Sequence, residues 1–204
     1  MNEALRRSGT CATTKYMDDV VLKTERLRLR TWRESDRELF AKMNADPRVM
    51  EFFSSTLSRE ESDATVDRIL AHFRERGYGP YAAELISERR FIGYIGLYAP
   101  RFTARFTPCV EIAWRLASDA WGQGFATEGA REVVQHAFDN LRLEEIVSFT
   151  VPANVRSRRV MEKIGMTRDP AEDFDHPEVP EGHPLRRHVL YRLSKCYTEE
   201  VTGV

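Results

Sequence analysis

Three short apolar stretches follow one another near the middle of the chain and constrain its fold more than any other feature. They read YAAELI, FIGYIGLY and CVEIAWRL, and they begin at Tyr81, Phe91 and Cys109. Each has the length and composition of a β-strand. The polar segment SERR between the first two has the length of a hairpin loop. The sequence therefore predicts a run of short, antiparallel strands at this point.

Strand and helix patterns also precede this run. RLRLRTW, from Arg26 to Trp32, alternates apolar and basic residues, which is typical of a half-buried strand. ESDRELFAKMNADP then predicts a helix, with Ser35 and Glu38 as a capping box. Ser58 and Glu61 repeat that signature before a second helix. The apolar sides of the two helices are predicted to be Leu39, Phe40 and Met43, and Val66, Ile69, Leu70 and Phe73.

The second half of the chain alternates between the two patterns. A helical stripe starts at Ala126, the strand pattern EEIVSFTV follows, and NVRSRRVMEKIG predicts a short helix with Asn154 as its N-cap. RDPAEDFDHPEVPEGHP is predicted to be a loop, and LRRHVLYRL a closing strand. The predicted order is β-α-α-β-β-β-α-β-α-β, an α/β (α+β) fold with a mixed, mostly antiparallel sheet flanked by helices. Residues 1–18 are expected to be a flexible extension, 19–196 a single domain and 197–204 a tail.

Composition excludes several classes of function. The 31 basic and 32 acidic residues nearly balance, so they give no argument for a nucleic-acid partner. The three cysteines form no CxxC pair, and no apolar run approaches the ~20 residues needed to cross a bilayer. No signal-peptide core is visible, so a cytoplasmic location is expected. His176, His183 and His188 lack the spacing of zinc ligands, so no metal is expected.

A glycine-containing turn is the most specific feature for ligand binding. In SDAWGQGFATEGA, Gly122 and Gly124 separate a strand pattern from a helical one. The first N–H groups of a helix have no partner inside it and lie at the positive end of its dipole, so such a turn can bind an anion. A P-loop is rejected because no Gly-Lys pair exists, and a dinucleotide fold because the third glycine of GxGxxG is missing. A plain turn without a ligand remains open from these residues alone.

Neighbouring motifs favour one reading of that turn. VEIAWRL, GQGFATE and VPANVRSRRVMEKIGM occur in this order and together resemble the GNAT superfamily of acyl-CoA N-acyltransferases, in particular its branch of ribosomal-protein N-terminal (RimJ/RimL-like) acetyltransferases. The resemblance covers about residues 21–194. Gly124 and Ala126 match the family's phosphate motif [QR]-x-x-G-x-[GA], while Trp121 departs from it by standing at the Gln/Arg position.

The resemblance implies acetyl-CoA as the cosubstrate. The backbone of the turn would hold the pyrophosphate, the strand before it would pair with the pantetheine arm, and Asn154 would hold that arm from the other side. The cofactor-binding residues that it implies are Trp114, Leu116, Trp121, Gly122, Gln123, Gly124, Phe125, Ala126, Thr127, Asn154 and Arg159. Arg156 and Arg158 are further candidates for screening the 3′-phosphate, and a solvated helix face is the alternative for all three arginines.

The resemblance also implies catalytic roles. Glu111 stands where many GNAT enzymes place a glutamate base, and an ion pair with Arg115 is the structural alternative. Period-2 alternation places Glu111 and Arg115 on one face of their strand and Trp114 on the other. Many relatives protonate the leaving thiolate with a tyrosine, but Met161 stands at that position, so Ser157 is the candidate for that role.

The acceptor is expected to be a primary amine, on a protein N-terminus or a small molecule, and acetyl transfer is expected to be direct. Candidates for the acceptor site are Trp32, Phe52, Phe53, His188 and Tyr191. The rival hypothesis is a catalytically weak acyl-CoA-binding or partner-binding module on the same scaffold. A homodimer is one expectation for its assembly, and neither nucleic acid nor a membrane is expected as a partner.

Overall fold

A computed structural model describes residues 20–195. The predicted extension and tail, residues 1–18 and 197–204, lie outside the described residues. Four helices accompany nine strands in this part of the chain. The strands are β1 Val20–Lys23, β2 Leu27–Arg30, β3 Pro80–Leu85, β4 Arg90–Tyr98, β5 Glu111–Leu116, β6 Glu145–Thr150, β7 Thr167–Arg168, β8 Phe174–Asp175 and β9 Arg187–Ser194. The helices are α1 Asp36–Asn44, α2 Arg59–Arg76, α3 Phe125–Asp139 and α4 Val155–Lys163.

The strands form one sheet in the order β1-β2-β3-β4-β5-β6-β9-β7, with β8 paired to β9. All of these pairings are antiparallel except the parallel contact between β5 and β6. The predicted fold class is therefore confirmed. The predicted order omits three strands, β1, β7 and β8. The segment that contains β8 was predicted to be a loop. Two-residue strands carry too little periodicity to be visible in a sequence.

Helices cover the sheet on both faces. Phe125, Ala130, Val133 and Ala137 of α3 pack with Ile95 and Ile112 of the sheet in the larger core. Phe40 and Met43 of α1 and Val66 and Ile69 of α2 form a second core with Trp32. The sheet is therefore the middle layer of three, and its central strands are buried on both sides.

The capping predictions had different outcomes. Ser58 caps α2 with the reciprocal bonds of a capping box, as predicted, and Gly77 ends that helix with φ +76°. Ser35 precedes α1 but makes no side-chain cap bond, so the capping box predicted there is wrong. Asp36 replaces it by accepting a hydrogen bond from the Arg33 N–H at 2.8 Å. Leu39 was also misplaced, since 44% of it is exposed.

Charged side chains within the sheet explain why Asp36 takes this position. Arg30 of β2 is almost fully buried and donates to Asp36 Oδ2 from Nη1 at 2.7 Å and to Glu84 Oε2 from Nε at 2.8 Å. A buried guanidinium needs such partners because an unpaired buried charge is strongly unfavourable. The alternating pattern of β2 placed its arginines on the face opposite the leucines. At Arg30 that face is buried and not exposed to solvent.

Candidate active site

The central feature of the site is a separation between β5 and β6. β5 pairs with β4 along its whole length, from Glu111 opposite Tyr98 to Leu116 opposite Gly93. With β6 it shares one register pair in the described chain, Glu111 opposite Val147. Beyond that point the strands diverge, and a cleft of about 670 Å³ lies beside β5. One edge of β5 is therefore left without a partner strand.

Backbone alternation decides which residues face that edge. At one end of β5 the N–H of Ala117 donates to Ile92 O of β4 at 2.9 Å, so this residue faces β4. At the other end Val110 O accepts from the N–H of Val147 of β6 at 2.9 Å, so this residue faces β6. Successive residues of a strand direct their backbone groups to opposite sides. The backbone groups of Trp114 and Leu116 therefore face the cleft, and the indole of Trp121 already bonds Leu116 O at 2.9 Å.

The glycine turn, residues 121–124, lies at the open end of β5. Gly122 and Gly124 have φ values of +74° and +84°, a region in which a Cβ atom is strained. Gly124 is the N-cap of α3 and provides no side-chain cap. The first internal bond of the helix runs from Glu128 N–H to Gly124 O, so the N–H groups of Phe125, Ala126 and Thr127 are not used inside the helix.

Most of the predicted turn residues meet at the cleft. Its lining includes Trp121, Gly122, Gly124, Phe125, Ala126 and Thr127. Gln123 does not line it, because its side chain turns back to donate to Asp119 O at 3.0 Å. The sequence-based expectation of a bare backbone at the start of a helix therefore agrees with the geometry.

Helix α4 forms the opposite wall of the cleft. Asn154 is its N-cap, as predicted, and accepts from the Ser157 N–H at 3.1 Å. Both residues line the cleft together with Arg159 and Lys163, one turn apart on the same helix. Lys163 was missed by sequence reasoning, although its spacing from Arg159 could have indicated it.

The other two arginines of α4 have partners of their own. Arg158 points away from the cleft, with Nε 3.3 Å from the Tyr191 hydroxyl and Nη1 3.1 Å from Pro152 O. Arg158 is therefore not among the residues that line the cleft, unlike Arg156 and Arg159. Arg156 lines the cleft, but it pairs with Glu51 at 2.7 Å and lies over the Trp121 ring at 4.5 Å.

Glu111 lines the cleft where β5 and β6 begin to diverge. Burial raises the pKa of its carboxyl to about 8, because surrounding protein replaces the water that would stabilise the charge. The ion pair with Arg115 is not formed. Arg115 instead donates to Asn44 Oδ1 at 2.8 Å and lies over the Phe53 ring at 4.0 Å. Within residues 20–195 no hydrogen bond or ion pair holds the Glu111 carboxylate.

The acceptor candidates divide into two groups. Phe52, Phe53 and His188 line the cleft. Trp32 does not, because it is buried in the second core and its Nε1 donates to Pro80 O at 2.7 Å. Tyr191 does not either, since it is buried and its hydroxyl donates to Glu162 Oε1 at 3.0 Å. These two predictions were wrong because aromatic residues fill cores more often than ligand walls.

Three aromatic or imidazole rings that line the cleft were not among the predicted acceptor-site residues. Tyr94 contributes from β4, Phe149 from β6, and His176 from the segment after β8. Burial lowers the pKa of His176 and of His188, so both imidazoles are uncharged at neutral pH. Met161 is buried in the larger core, where a thioether has no proton to donate. Among the described residues, no group of three or more His, Cys, Asp or Glu residues has an arrangement that could hold a metal ion.

Comparison with known proteins identifies the class of protein that has this fold and cleft. The family model of the acetyltransferase (GNAT) domain matches residues 26–167, which span all of the elements from β2 to α4. The chain belongs to the GNAT acetyltransferase family. It is an acyltransferase, and GNAT acetyltransferases use acetyl-CoA. No helix within residues 20–195 combines the length and apolarity required to cross a bilayer.

Individual relatives agree with that assignment. FsC-acetyl coenzyme A-N(2)-transacetylase of Aspergillus fumigatus is 34% identical over 189 residues, covering 85% of this chain and 79% of that protein. The crystal structure of an acetyltransferase from Agrobacterium tumefaciens superposes with a TM-score of 0.71 at 28% identity and covers 90% of this chain and 99% of its own. Spermidine N-acetyltransferase from Vibrio cholerae, solved with CoA and spermine, shares the fold with a TM-score of 0.65 at 17% identity over 84% of this chain and 96% of its own.

Proposed function

We propose that the protein transfers an acetyl group from acetyl-CoA directly to a primary amine, with Glu111 as the general base. One observation carries the proposal. The edge of β5 that no strand of residues 20–195 covers has a half-buried carboxylate at its closed end and an anion-binding glycine turn at its open end. A thioester carried on a long arm with an anionic end fits this arrangement, and the resemblance to RimJ/RimL-like enzymes agrees with it.

The residues of the cleft suit each part of acetyl-CoA. The N–H groups of residues 125–127 are oriented to bind the pyrophosphate. The backbone groups of Trp114 and the N–H of Leu116 face the cleft and suit the two amides of pantetheine, which would add to the sheet as a short strand, while Leu116 O already accepts from the Trp121 indole. Arg159 and Lys163 supply positive charge for the phosphates at the adenine end. When bound, acetyl-CoA supplies the activated acetyl group, and the chain orients it.

Glu111 has the properties that the proton transfer requires. An amine attacks only after its ammonium form loses a proton, and the pKa of an α-ammonium group is about 8. A general base works best when its pKa lies near the working pH, and the pKa of Glu111 of about 8 meets that condition. Since no side chain of the described residues neutralises it, the carboxylate is free to take the proton directly or through a water molecule.

Ser157 is the candidate for assisting the leaving thiolate. Its backbone N–H is held by Asn154, while its hydroxyl has no recorded partner within residues 20–195. The CoA thiol is similar to that of a cysteine, whose pKa is about 8.5. Its thiolate is therefore a moderate leaving group, and a single hydrogen bond can assist its departure. Ser157 lines the cleft on the α4 side, whereas Met161 is buried behind it.

A direct test measures binding and turnover separately. Isothermal titration is expected to show acetyl-CoA binding, and thiol release is expected on adding an amine from a panel of N-terminal peptides and small amines. Binding without thiol release from any amine would favour the rival acyl-CoA-binding module. No binding at millimolar acetyl-CoA would overturn the proposal altogether.

A further inference from the structure

Six rings cluster beside the diverging part of β6, where Phe149 lies two residues past the pair of Glu111 and Val147. Their centroids lie between 4.5 and 6.2 Å apart in the contacting pairs, and the rings belong to Phe102, Phe106, Phe149, Phe174, His176 and His188. Three of these, Phe149, His176 and His188, line the cleft, and we call them the aromatic wall. Phe102, Phe106 and Phe174 pack behind them. The wall is therefore packed against other rings on one side, while its own rings line the cleft on the other.

The two imidazoles of the wall are held in defined neutral forms. His188 Nδ1 lies 3.1 Å from the carbonyl of Arg186, so this nitrogen carries the proton. His176 Nδ1 accepts from the N–H of Glu178 at 3.3 Å, so its proton is on Nε2. Since burial also keeps both rings uncharged, the wall presents flat, neutral surfaces.

The charges around the cleft disfavour a polyamine. Glu111 and Glu178 are the acidic residues among its lining. Arg159 and Lys163 are assigned above to the phosphates of the cofactor, and the other cationic residues that line the cleft are Arg48, Arg115 and Arg156. A polyamine carries several positive charges and needs a carboxylate for each that becomes desolvated. An acceptor with one amine and an uncharged body suits this surface better.

Strand register sets the distance between the base and the wall. Val147 pairs with Glu111 across β5 and β6, and Phe149 is two residues further along β6. Two residues of a strand span roughly 7 Å. The carboxylate and the Phe149 ring are therefore close neighbours along the cleft, so a short spacer suffices between an amine at the carboxylate and a ring stacked on the wall.

We propose that the acceptor is a primary amine joined by a short spacer to a planar ring, which stacks on the aromatic wall while the amine approaches Glu111. This inference rests on the proposed function. Rings on the opposite side of the cleft, Phe52, Phe53 and Tyr94, would enclose the same group. Stacked and edge-to-face contacts between rings strengthen binding by about twofold to tenfold beyond the burial of apolar area, so a planar ring gains over a puckered one.

A matched pair of amines tests the role of planarity. 2-Phenylethylamine and 2-cyclohexylethylamine have the same spacer and reacting nitrogen, and they differ in whether the ring is flat. We expect kcat/KM to be about tenfold higher for the phenyl compound, and higher again than for spermidine. Equal rates for the two rings, or a preference for spermidine, would overturn the inference and leave the proposed function intact. If no amine in the panel releases thiol, both the proposed acetyl transfer and this inference about its acceptor are contradicted.

Variants of the wall separate recognition from folding. Phe149→Leu and His188→Gln are expected to raise KM for 2-phenylethylamine about tenfold and to leave KM for acetyl-CoA unchanged. His188→Gln leaves Phe149 and its contacts with Phe102, Phe106 and Phe174 in place, so it still tests the inference if Phe149→Leu lowers the melting temperature. His183→Ala is the control, since His183 lies in the same loop region and does not line the cleft. An unchanged KM in both wall variants would contradict the inference.

Discussion

The guanidinium of Arg26 lies directly behind the glycine turn and forms an ion pair with Glu128, which is 102 residues away in the chain. Nη2 is 2.6 Å from Glu128 Oε2, and Nη1 donates to Gln123 O at 3.1 Å. The same guanidinium lies 4.6 Å above the ring of Phe125. Arg26 therefore holds the turn on one side and the first turn of α3 on the other.

This contact predicts a cofactor effect for Arg26→Met. Loss of a charge-assisted contact that positions the turn should raise KM for acetyl-CoA about tenfold. KM for S-acetylpantetheine, which lacks the pyrophosphate, should not change. Steady-state kinetics with the two thioesters checks this. Arg28→Met is the control, because Arg28 pairs with Glu84 on the other side of β2; equal losses with both thioesters would show that the role is not specific to phosphate.

Gly122→Ala should weaken cofactor binding more than it weakens the fold. Gly122 and Gly182 both have positive φ, and a Cβ atom on either would meet nothing within 4 Å. Each substitution should therefore cost about 1 kcal/mol of stability through backbone strain alone. Gly122 lines the cleft and Gly182 does not. We expect similar losses in melting temperature, with a raised Kd for acetyl-CoA in Gly122→Ala alone; titration calorimetry measures it.

Glu111→Gln should lower kcat by about a hundredfold or more, since general bases contribute about 10²–10⁴ to rates. In the native enzyme, kcat/KM should rise with pH through an apparent pKa near 8, as the carboxylate forms. The step that belongs to Glu111 should be lost in the variant, whose profile should keep only the rise caused by deprotonation of the free amine. Rates measured between about pH 6 and pH 9 test this, and parallel profiles for both proteins would remove Glu111 from the mechanism.

The same carboxyl should also change stability with pH. Its pKa in the folded state is raised to about 8 from an ordinary value of 4.5. Between these values the folded protein retains a proton that the unfolded chain releases, so this group's contribution to stability falls as pH rises through that window. Glu111→Gln removes this effect. The variant should melt higher than the native protein near pH 8, by an amount that shrinks towards pH 5; a constant difference would contradict the raised pKa.

Arg159 is expected to distinguish acetyl-CoA from its 3′-dephospho form. It lines the cleft on α4, and within residues 20–195 its guanidinium makes neither a hydrogen bond nor an ion pair with another side chain. Arg159→Met should reduce the preference for acetyl-CoA over acetyl-dephospho-CoA about tenfold, since an ionic hydrogen bond contributes about 1.5–3 kcal/mol. Arg158→Met, whose side chain points to Tyr191, should leave that preference unchanged. Kinetics with both thioesters decides between these outcomes.

Local sequence signals predicted much of the fold. The Ser58 capping box, the Asn154 cap, the glycine turn and the central strands all depend on residues within a few positions of each other. Such patterns are visible in a sequence because the interactions that they describe are local. Ser35 shows the limit of this reasoning. Its capping box was overridden when Asp36 bonded the buried guanidinium of Arg30, a contact made through β2.

The sequence by itself determined the order of most elements, the family and the place of Glu111 in β5, because periodicity and short motifs are properties of neighbouring residues. The tertiary structure alone decided which aromatic residues line the cleft. It buried Trp32 and Tyr191 and brought Phe149 and His176 to the surface of the cleft. It also left Glu111 without an ionic partner among residues 20–195 and placed Arg26 behind the glycine turn. The physical reason is that each of these depends on how strands distant in sequence pair and diverge.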